Sequence, residues 1–309
     1  MDNLKNLVKY ITEEDSLNIR VFFTQKGKSG YTTYCPNVTP ALRDRILELI
    51  VSGVRKYLET SLVEYNPLVA QDDVIEYIDV SQIGGYRDVT KSLLDADAVN
   101  IGCDIDKLTF YGLEIKDEDN CTKAYFFRRI TKFRKLSTSG LFAYFQGNAL
   151  HKLDEQMLGM DGLVDIAIIN SKAYVFSHTA LERIFKMSDQ YNDLACQALE
   201  ILKQHNKISN FEQFENDCLD DKRVQKILTK MLNEEKLLEG AFGNFDAIEK
   251  TIDMFDLDVN ISENENGEKV IQYSGNKGSL MEILRIIHDS YYTSTIRNRQ
   301  GIDDYRLGK

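Results

Sequence analysis

The N-terminal part of the chain shows a strand pattern followed by a helix pattern. Residues 17–34 contain two β-rich runs around a Gly/Lys/Ser turn, which predicts a β-hairpin. Thr39 and Pro40 then have the residue types expected of an N-cap and a first helical position. Apolar residues recur at helical spacing from there to Leu58. The pattern therefore predicts an amphipathic helix that packs on a core.

The middle of the chain is rich in strand-forming residues. We predict strands over residues 108–115, 123–133, 141–145, 163–169 and 173–176. Thr179 and Glu182 form a capping-box pair after the last of these strands. The apolar stripe that follows extends to Leu202, which predicts one long helix beginning at this pair.

The pattern changes after about residue 208. Compact helices are predicted over residues 210–219, 223–239, 243–255 and 280–288. A hairpin with Asn266-Gly267 in its loop precedes the last helix. We therefore predict an α+β fold with a boundary near 205–210. A mixed α/β domain with a β-sheet and packed helices covers residues 1–208, and a mostly helical subdomain with a hairpin covers residues 209–309.

Composition indicates a soluble cytosolic protein. The content of 43% apolar and 28% charged residues is that of a globular chain. The N-terminus is charged and lacks the apolar stretch of a signal peptide, and no segment has the length and apolarity of a membrane span. The five cysteines are scattered without a CxxC pair or zinc spacing. We accordingly expect free thiols, no metal site and no cofactor.

One segment concentrates positive charge in a chain whose net charge is −11. Residues 126–135 read FFRRITKFRK. In a strand, Arg128, Lys132 and Arg134 share one face, whereas Arg129 shares the other with aromatic residues. We predict that Arg128, Lys132, Arg134 and Lys135 bind DNA phosphates and that Arg129 is a buried ion-pair partner. The alternative is a solvated face neutralised by nearby carboxylates.

The C-terminal segment TSTIRNRQ adds Arg297 and Arg299 as a weaker DNA-binding candidate. Three helices followed by an Asn-Gly hairpin also match the order of a winged helix. However, the helix that would read the groove carries Asp246, Glu249 and Asp253 and would repel phosphates. The same element order is common as plain architecture.

A metal-dependent nuclease is the alternative function. Glu114-x-Lys116 follows Asp104 and Asp106, and some nucleases hold Mg²⁺ with such carboxylates while a lysine orients water. The triplet is weakly specific, because Glu234-x-Lys236 repeats it inside a predicted helix. A solvated turn is the favoured explanation of these residues. No other enzyme motif is recognisable, so we predict no catalytic residues.

Three segments together resemble a bacterial family. The succession VEYNPL (63–68), AYFFRRITKFRKL (124–136) and DIAIINSKAYVFSHTALERIF (165–185) is similar to the KwaB family of the Kiwa anti-phage system, from about residue 20 to the end of the chain. The resemblance implies a non-catalytic, DNA-binding effector that self-associates, as a dimer or larger homo-oligomer. It also implies a KwaA-like membrane partner, recruitment to the inner face of the membrane, and a block of phage DNA replication and late transcription.

Overall fold

The chain folds into two compact units. The computed structural model describes residues 2–13, 17–28, 30–96, 105–117, 119, 121–130, 135–136, 143–146, 149–152, 157–234 and 236–303. Residues 1–65 and 71–187 form the first unit, and residues 66–70 and 188–309 form the second. The first unit therefore ends some twenty residues before the predicted boundary near 205–210.

The first unit contains a mixed eight-stranded sheet. Its strands in chain order are β1 (Asn18–Lys26), β2 (Tyr31–Tyr34), β3 (Ser61–Glu64), β4 (Val74–Asp79), β5 (Leu108–Lys116), β6 (Thr122–Arg129), β11 (Ile166–Ile169) and β12 (Lys172–Val175). The order across the sheet is β2-β1-β5-β6-β11-β12-β4-β3. All neighbours are antiparallel except β3 and β4.

Four shorter strands form two separate pairs within the first unit. They are β7 (Lys135–Leu136), β8 (Ala143–Gln146), β9 (Ala149–Lys152) and β10 (Met157–Leu158). Strand β8 pairs with β9, and β7 pairs with β10. The predicted strand over 141–145 thus belongs to a small hairpin rather than to the main sheet.

Helices cover both faces of the main sheet. The helices of this unit are α1 (Asp2–Glu13), α2 (Pro40–Arg55), α3 (Tyr86–Leu94) and α4 (His178–Ile184). Apolar side chains of α1 and α2 pack on one face against Leu113 and Phe126. On the other face Phe127 contacts Phe185, which directly follows α4, with ring centroids 5.4 Å apart. The central strands are therefore apolar on both sides.

The predicted long helix is two helices, α4 and α5 (Met187–Gln204). The N-cap of α4 is Ser177, whose side chain accepts a hydrogen bond from the Ala180 N–H. The predicted capping box had instead placed the N-cap at Thr179. The chain turns at Lys186, where φ is +52°. A residue in the left-handed region cannot continue an α-helix, so the helical backbone is interrupted at this point.

The second unit is mostly helical. It contains most of α5, then α6 (Phe211–Asp220), α7 (Lys222–Asn233), α8 (Leu237–Gly240), α9 (Phe245–Phe255) and α10 (Lys277–Ile287). Leu199 and Leu202 of α5 join the core formed by these helices, which explains why the unit begins earlier than predicted. The predicted helix over 223–239 is divided, because Lys236 has a φ of +61°.

Two hairpins complete the second unit. Strands β13 (Asn260–Glu263) and β14 (Lys269–Gln272) form the predicted Asn-Gly hairpin, with Gly267 at a φ of +74°. Strands β15 (Tyr291–Thr293) and β16 (Gln300–Ile302) form a second hairpin in a segment for which we predicted no strand. In the described part of the chain, no helix has the length and apolarity needed to cross a bilayer. The fold is α+β, as predicted.

Candidate functional site

The basic segment begins in an interior strand. Strand β6 lies between β5 and β11, with Ala124 and Phe126 buried on one face and Phe127 buried on the other. The described part of this strand is therefore packed on both faces rather than solvated on one.

Arg128 forms ion pairs with two carboxylates. Its Nε donates to Asp161 Oδ1 at 3.1 Å and its Nη2 to Asp161 Oδ2 at 3.0 Å, while Nη1 donates to Asp165. Burial alone would lower the pKa of Arg128, but the hydrogen bonds and charges of the two carboxylates outweigh it and raise the pKa. With its side chain only 15% exposed, Arg128 has the contacts of a structural residue rather than of a phosphate ligand.

Arg129 lies on the opposite face of β6. Its backbone N–H donates to Asp165 Oδ2 at 2.7 Å, whereas its side-chain Nη1 is buried without a hydrogen-bond partner. The alternation of side chains along the strand predicted that Arg129 lies on the face opposite Arg128, and the structure agrees. Among the described residues, Arg129 does not form the ion pair that we expected. The N–H groups of its buried Nη1 therefore have no acceptor.

The Arg129 side chain lines a cavity of about 300 Å³. We call it the cationic cavity, and its walls come from strands β1, β5 and β6, from Ile130 and from helix α4. The lining residues are Lys26, Leu108, Thr109, Phe110, Arg129, Ile130, Arg183 and Ile184. Three of these eight residues are cations, and none is acidic.

Two further basic residues, Lys28 and Lys186, lie close to residues that line the cavity. Lys26 Nζ donates to the carbonyl oxygen of Arg183 at 2.9 Å. Lys186 Nζ donates to the carbonyl oxygen of Lys28 at 3.5 Å and lies 5.1 Å from the Tyr31 ring centroid. These contacts bring the end of β1 and the end of α4 together. We refer to Lys26, Lys28, Arg129, Arg183 and Lys186 as the cationic cluster.

Of the other predicted DNA ligands, only Arg297 and Arg299 have described side chains. Lys132 and Arg134 fall outside the described residues, as does the Lys135 side chain, although the Lys135 backbone lies in β7. Arg297 and Arg299 are exposed between β15 and β16 in the second unit. The sequence analysis did not predict the cationic cluster, because its members are distributed over three elements that are far apart in the chain. The only local signal was the Lys-Gly-Lys of residues 26–28.

Glu114 of the nuclease alternative is a structural residue of β5. Its side chain is 1% exposed and forms an ion pair with Arg20 at 2.8 Å. Thr122 Oγ1 donates to it at 2.8 Å and Tyr125 at 3.3 Å, while Lys116 Nζ lies at 3.8 Å. Burial raises the pKa of Tyr125 to about 12, so this phenol remains a donor.

Of the upstream acids, only Asp106 is described, and it forms no metal-binding group with Glu114 among the described residues. Asp106 is exposed in the turn before β5, and Asp104 lies outside the described residues. Across the described ranges, no group of three or more His, Cys, Asp or Glu side chains is placed to hold a metal ion. Glu114 is thus already paired with cations and donors of its own sheet.

Comparison with protein families gave one decisive result. The family model described as Kiwa protein KwaB-like matches residues 106–297. The chain belongs to the KwaB-like family. Membership links this KwaB-like protein to Kiwa anti-phage defence and confirms the resemblance. The match includes Arg129, Arg183 and Lys186 of the cationic cluster, whereas Lys26 and Lys28 precede it. Searches of curated proteins and of solved structures returned no match.

Proposed function

We propose that this KwaB-like protein is a non-catalytic DNA-binding effector of anti-phage defence. In this proposal it acts with a KwaA-like membrane partner to block phage DNA replication and late transcription. The observation that supports DNA binding is the cationic cluster, which concentrates five basic side chains on one part of a protein with a net charge of −11. DNA affinity depends on such local cations rather than on the sum of charges.

The cluster favours contact with phosphates rather than with bases. Lys28 and Arg183 are exposed and Lys186 is half-buried, so their charges are available at the surface. None of the three lies on a helix face long enough to fill a major groove, because α4 has only seven residues. Phosphate contacts position a protein on DNA without reading sequence. We therefore expect binding to be largely independent of sequence.

A charge-reversal experiment tests this function. The variant Lys28→Glu/Arg183→Glu/Lys186→Glu should lose the electrophoretic shift of duplex DNA. For the wild type, log affinity should fall with log salt by about 0.9 per phosphate contacted, and the variant should show a flatter slope. Binding is measured over a salt series, with thermal melting to confirm that the variant is folded.

A matched control separates local from global charge. Lys9→Glu/Arg45→Glu/Lys56→Glu changes the net charge equally, at exposed positions on and beside α1 and α2. These helices cover the opposite face of the sheet, so the control should bind DNA much as the wild type does. If the control loses as much affinity as the cluster variant, the cluster has no special role.

The non-catalytic part of the proposal has its own test. Plasmid incubated with the protein and Mg²⁺ should remain supercoiled, because the Glu114 carboxylate is occupied by Arg20, Thr122 and Tyr125. Gel electrophoresis measures nicking. Cleavage by the wild type that disappears in Glu114→Gln would contradict the proposal and support the nuclease alternative.

Recruitment to the membrane follows from the proposed partner. The protein should sediment with membranes only when the KwaA-like partner is co-expressed, and should remain in the supernatant without it. Co-sedimentation in the absence of the partner would indicate direct lipid binding instead.

A further inference from the structure

The unpaired nitrogen of Arg129 points to a ligand in the cationic cavity. Native proteins satisfy nearly all buried donors, yet Arg129 Nη1 is buried without a partner. The residue itself is held in place, since its backbone N–H donates to Asp165 at 2.7 Å. Arg129 also lines the cavity, so a shift of its guanidinium toward a bound acceptor would supply the hydrogen bond that Nη1 lacks.

The charge of the cavity indicates what kind of acceptor fits. Lys26, Arg129 and Arg183 line it together, and like charges that share a small space repel one another. An anion with several oxygens relieves this repulsion and accepts from more than one cation. A guanidinium fork matches phosphate geometry especially well.

The size and walls of the cavity require more than a bare phosphate. A volume of about 300 Å³ lies at the lower end of the range for small-molecule pockets. The other walls include Leu108, Phe110, Ile130 and Ile184, all of them buried. A ligand with an anionic end and an apolar ring suits this lining, and a nucleoside phosphate has both.

We propose that the cationic cavity binds a terminal nucleoside phosphate monoester, either at the end of a DNA strand or as a free mononucleotide. A terminal phosphate has one substituent, whereas a phosphate inside a strand has a sugar on each side. A cavity of about 300 Å³ is the size of a single nucleotide and leaves no room for a strand that continues on both sides of the phosphate. The strand-end form rests on the proposed DNA binding and deepens it, because the cavity lies within the cationic cluster.

Ligand-induced stabilisation gives the first test. Deoxyadenosine monophosphate should raise the melting temperature of the full-length protein in a concentration-dependent way, and deoxyadenosine should not. Arg129→Met keeps the aliphatic stem and removes the charged fork, so it should abolish the shift. Arg43→Met, at a partly exposed arginine of α2 that does not line the cavity, should retain it.

Strand ends give the second test and separate the two sources. Short single strands with a 5′-phosphate, a 3′-phosphate or only hydroxyl ends are compared by fluorescence anisotropy. A phosphorylated end should bind about tenfold tighter than hydroxyl ends, as expected for one charge-assisted contact. Arg129→Met should remove this preference, so that it binds phosphorylated and hydroxyl-ended strands with equal affinity. Arg129→Lys, which keeps the charge without the fork, should retain part of it.

The outcomes distinguish this inference from the proposed function. Mononucleotide stabilisation without an end preference would assign the site to a free nucleotide, and an end preference would assign it to DNA. The absence of both in the wild type would overturn the inference, even if closed circular plasmid still binds with a steep salt dependence. If that plasmid fails to bind, DNA binding itself is refuted, whereas mononucleotide stabilisation would still support the cavity.

Discussion

Arg128 and Arg129 are neighbours in β6 but differ in what they contact. Arg128 bridges Asp161 and Asp165, both of which precede β11, whereas the Arg129 guanidinium has a nitrogen without a partner. From the alternation of side chains in a strand, we predicted that Arg128 binds phosphate at the surface and that Arg129 forms a buried ion pair. The contacts reverse these roles, because both faces of β6 are covered and the carboxylates lie on the Arg128 side.

This reversal leads to a stability prediction. Arg128→Ala should destabilise the first unit by about 3 kcal/mol, since it leaves two partly buried carboxylates without their cation. Arg129→Ala should cost clearly less, because no ion pair is lost. Urea unfolding followed by circular dichroism measures both. If Arg129→Ala lowers the free energy of unfolding as much as Arg128→Ala or more, the structural role belongs to Arg129, as the sequence pattern predicted.

At the scale of the element, β5 tolerates no side chain at Gly112. A Cβ built there would lie 2.2 Å from the Phe126 carbonyl oxygen and 2.4 Å from the Phe22 ring. Two neighbours in the sheet thus occupy the space from different directions. Glycine is required here by the close approach of backbone and ring, and not by a turn.

Substitution at this glycine should therefore be costly. Gly112→Ala should reduce the free energy of unfolding by about 2–3 kcal/mol, because the strands must separate to admit a methyl group. The control is Gly27→Ala in the same unit, where the nearest atom outside the adjacent residues is 3.6 Å away. Chemical denaturation of the two variants should show a much larger effect at Gly112. Similar losses would mean that the sheet relaxes around position 112.

At the scale of the whole molecule, the acidic charge and the cationic cluster oppose each other. A net charge of −11 repels DNA at a distance, and one cluster contains only five basic residues, not all of them exposed. A homodimer presents two clusters to the same DNA molecule. Two linked contacts raise the overall affinity without any new interaction in either copy. Self-association, which the family resemblance implied, would thus compensate for the unfavourable charge.

Solution mass tests this expectation. Light scattering at micromolar concentration should give at least twice the 35.5 kDa of the chain. The cluster variant should have the same mass as the wild type, so that its loss of DNA binding reflects charge alone. A strict monomer for the wild type would remove this explanation of how an acidic protein could bind DNA.

Local patterns in the sequence were sufficient for many of the elements. The hairpin over 17–34, the helix start at Thr39-Pro40 and the Asn266-Gly267 hairpin were all predicted, because each depends on residues adjacent in the chain. The α+β class followed from the same patterns. The break between α4 and α5 was missed, since the apolar stripe continues through it and only the backbone at Lys186 departs from the helix.

The site depended on contacts between distant parts of the chain. Arg128 meets carboxylates 33 and 37 residues away, and Lys26 meets the carbonyl oxygen of Arg183 at a separation of 157 residues. Periodicity reports which residues share a face of a strand, but not whether that face is covered by a helix or by water. The packing of the sheet between two helical layers therefore established which arginine was buried in an ion pair and which faced the cavity.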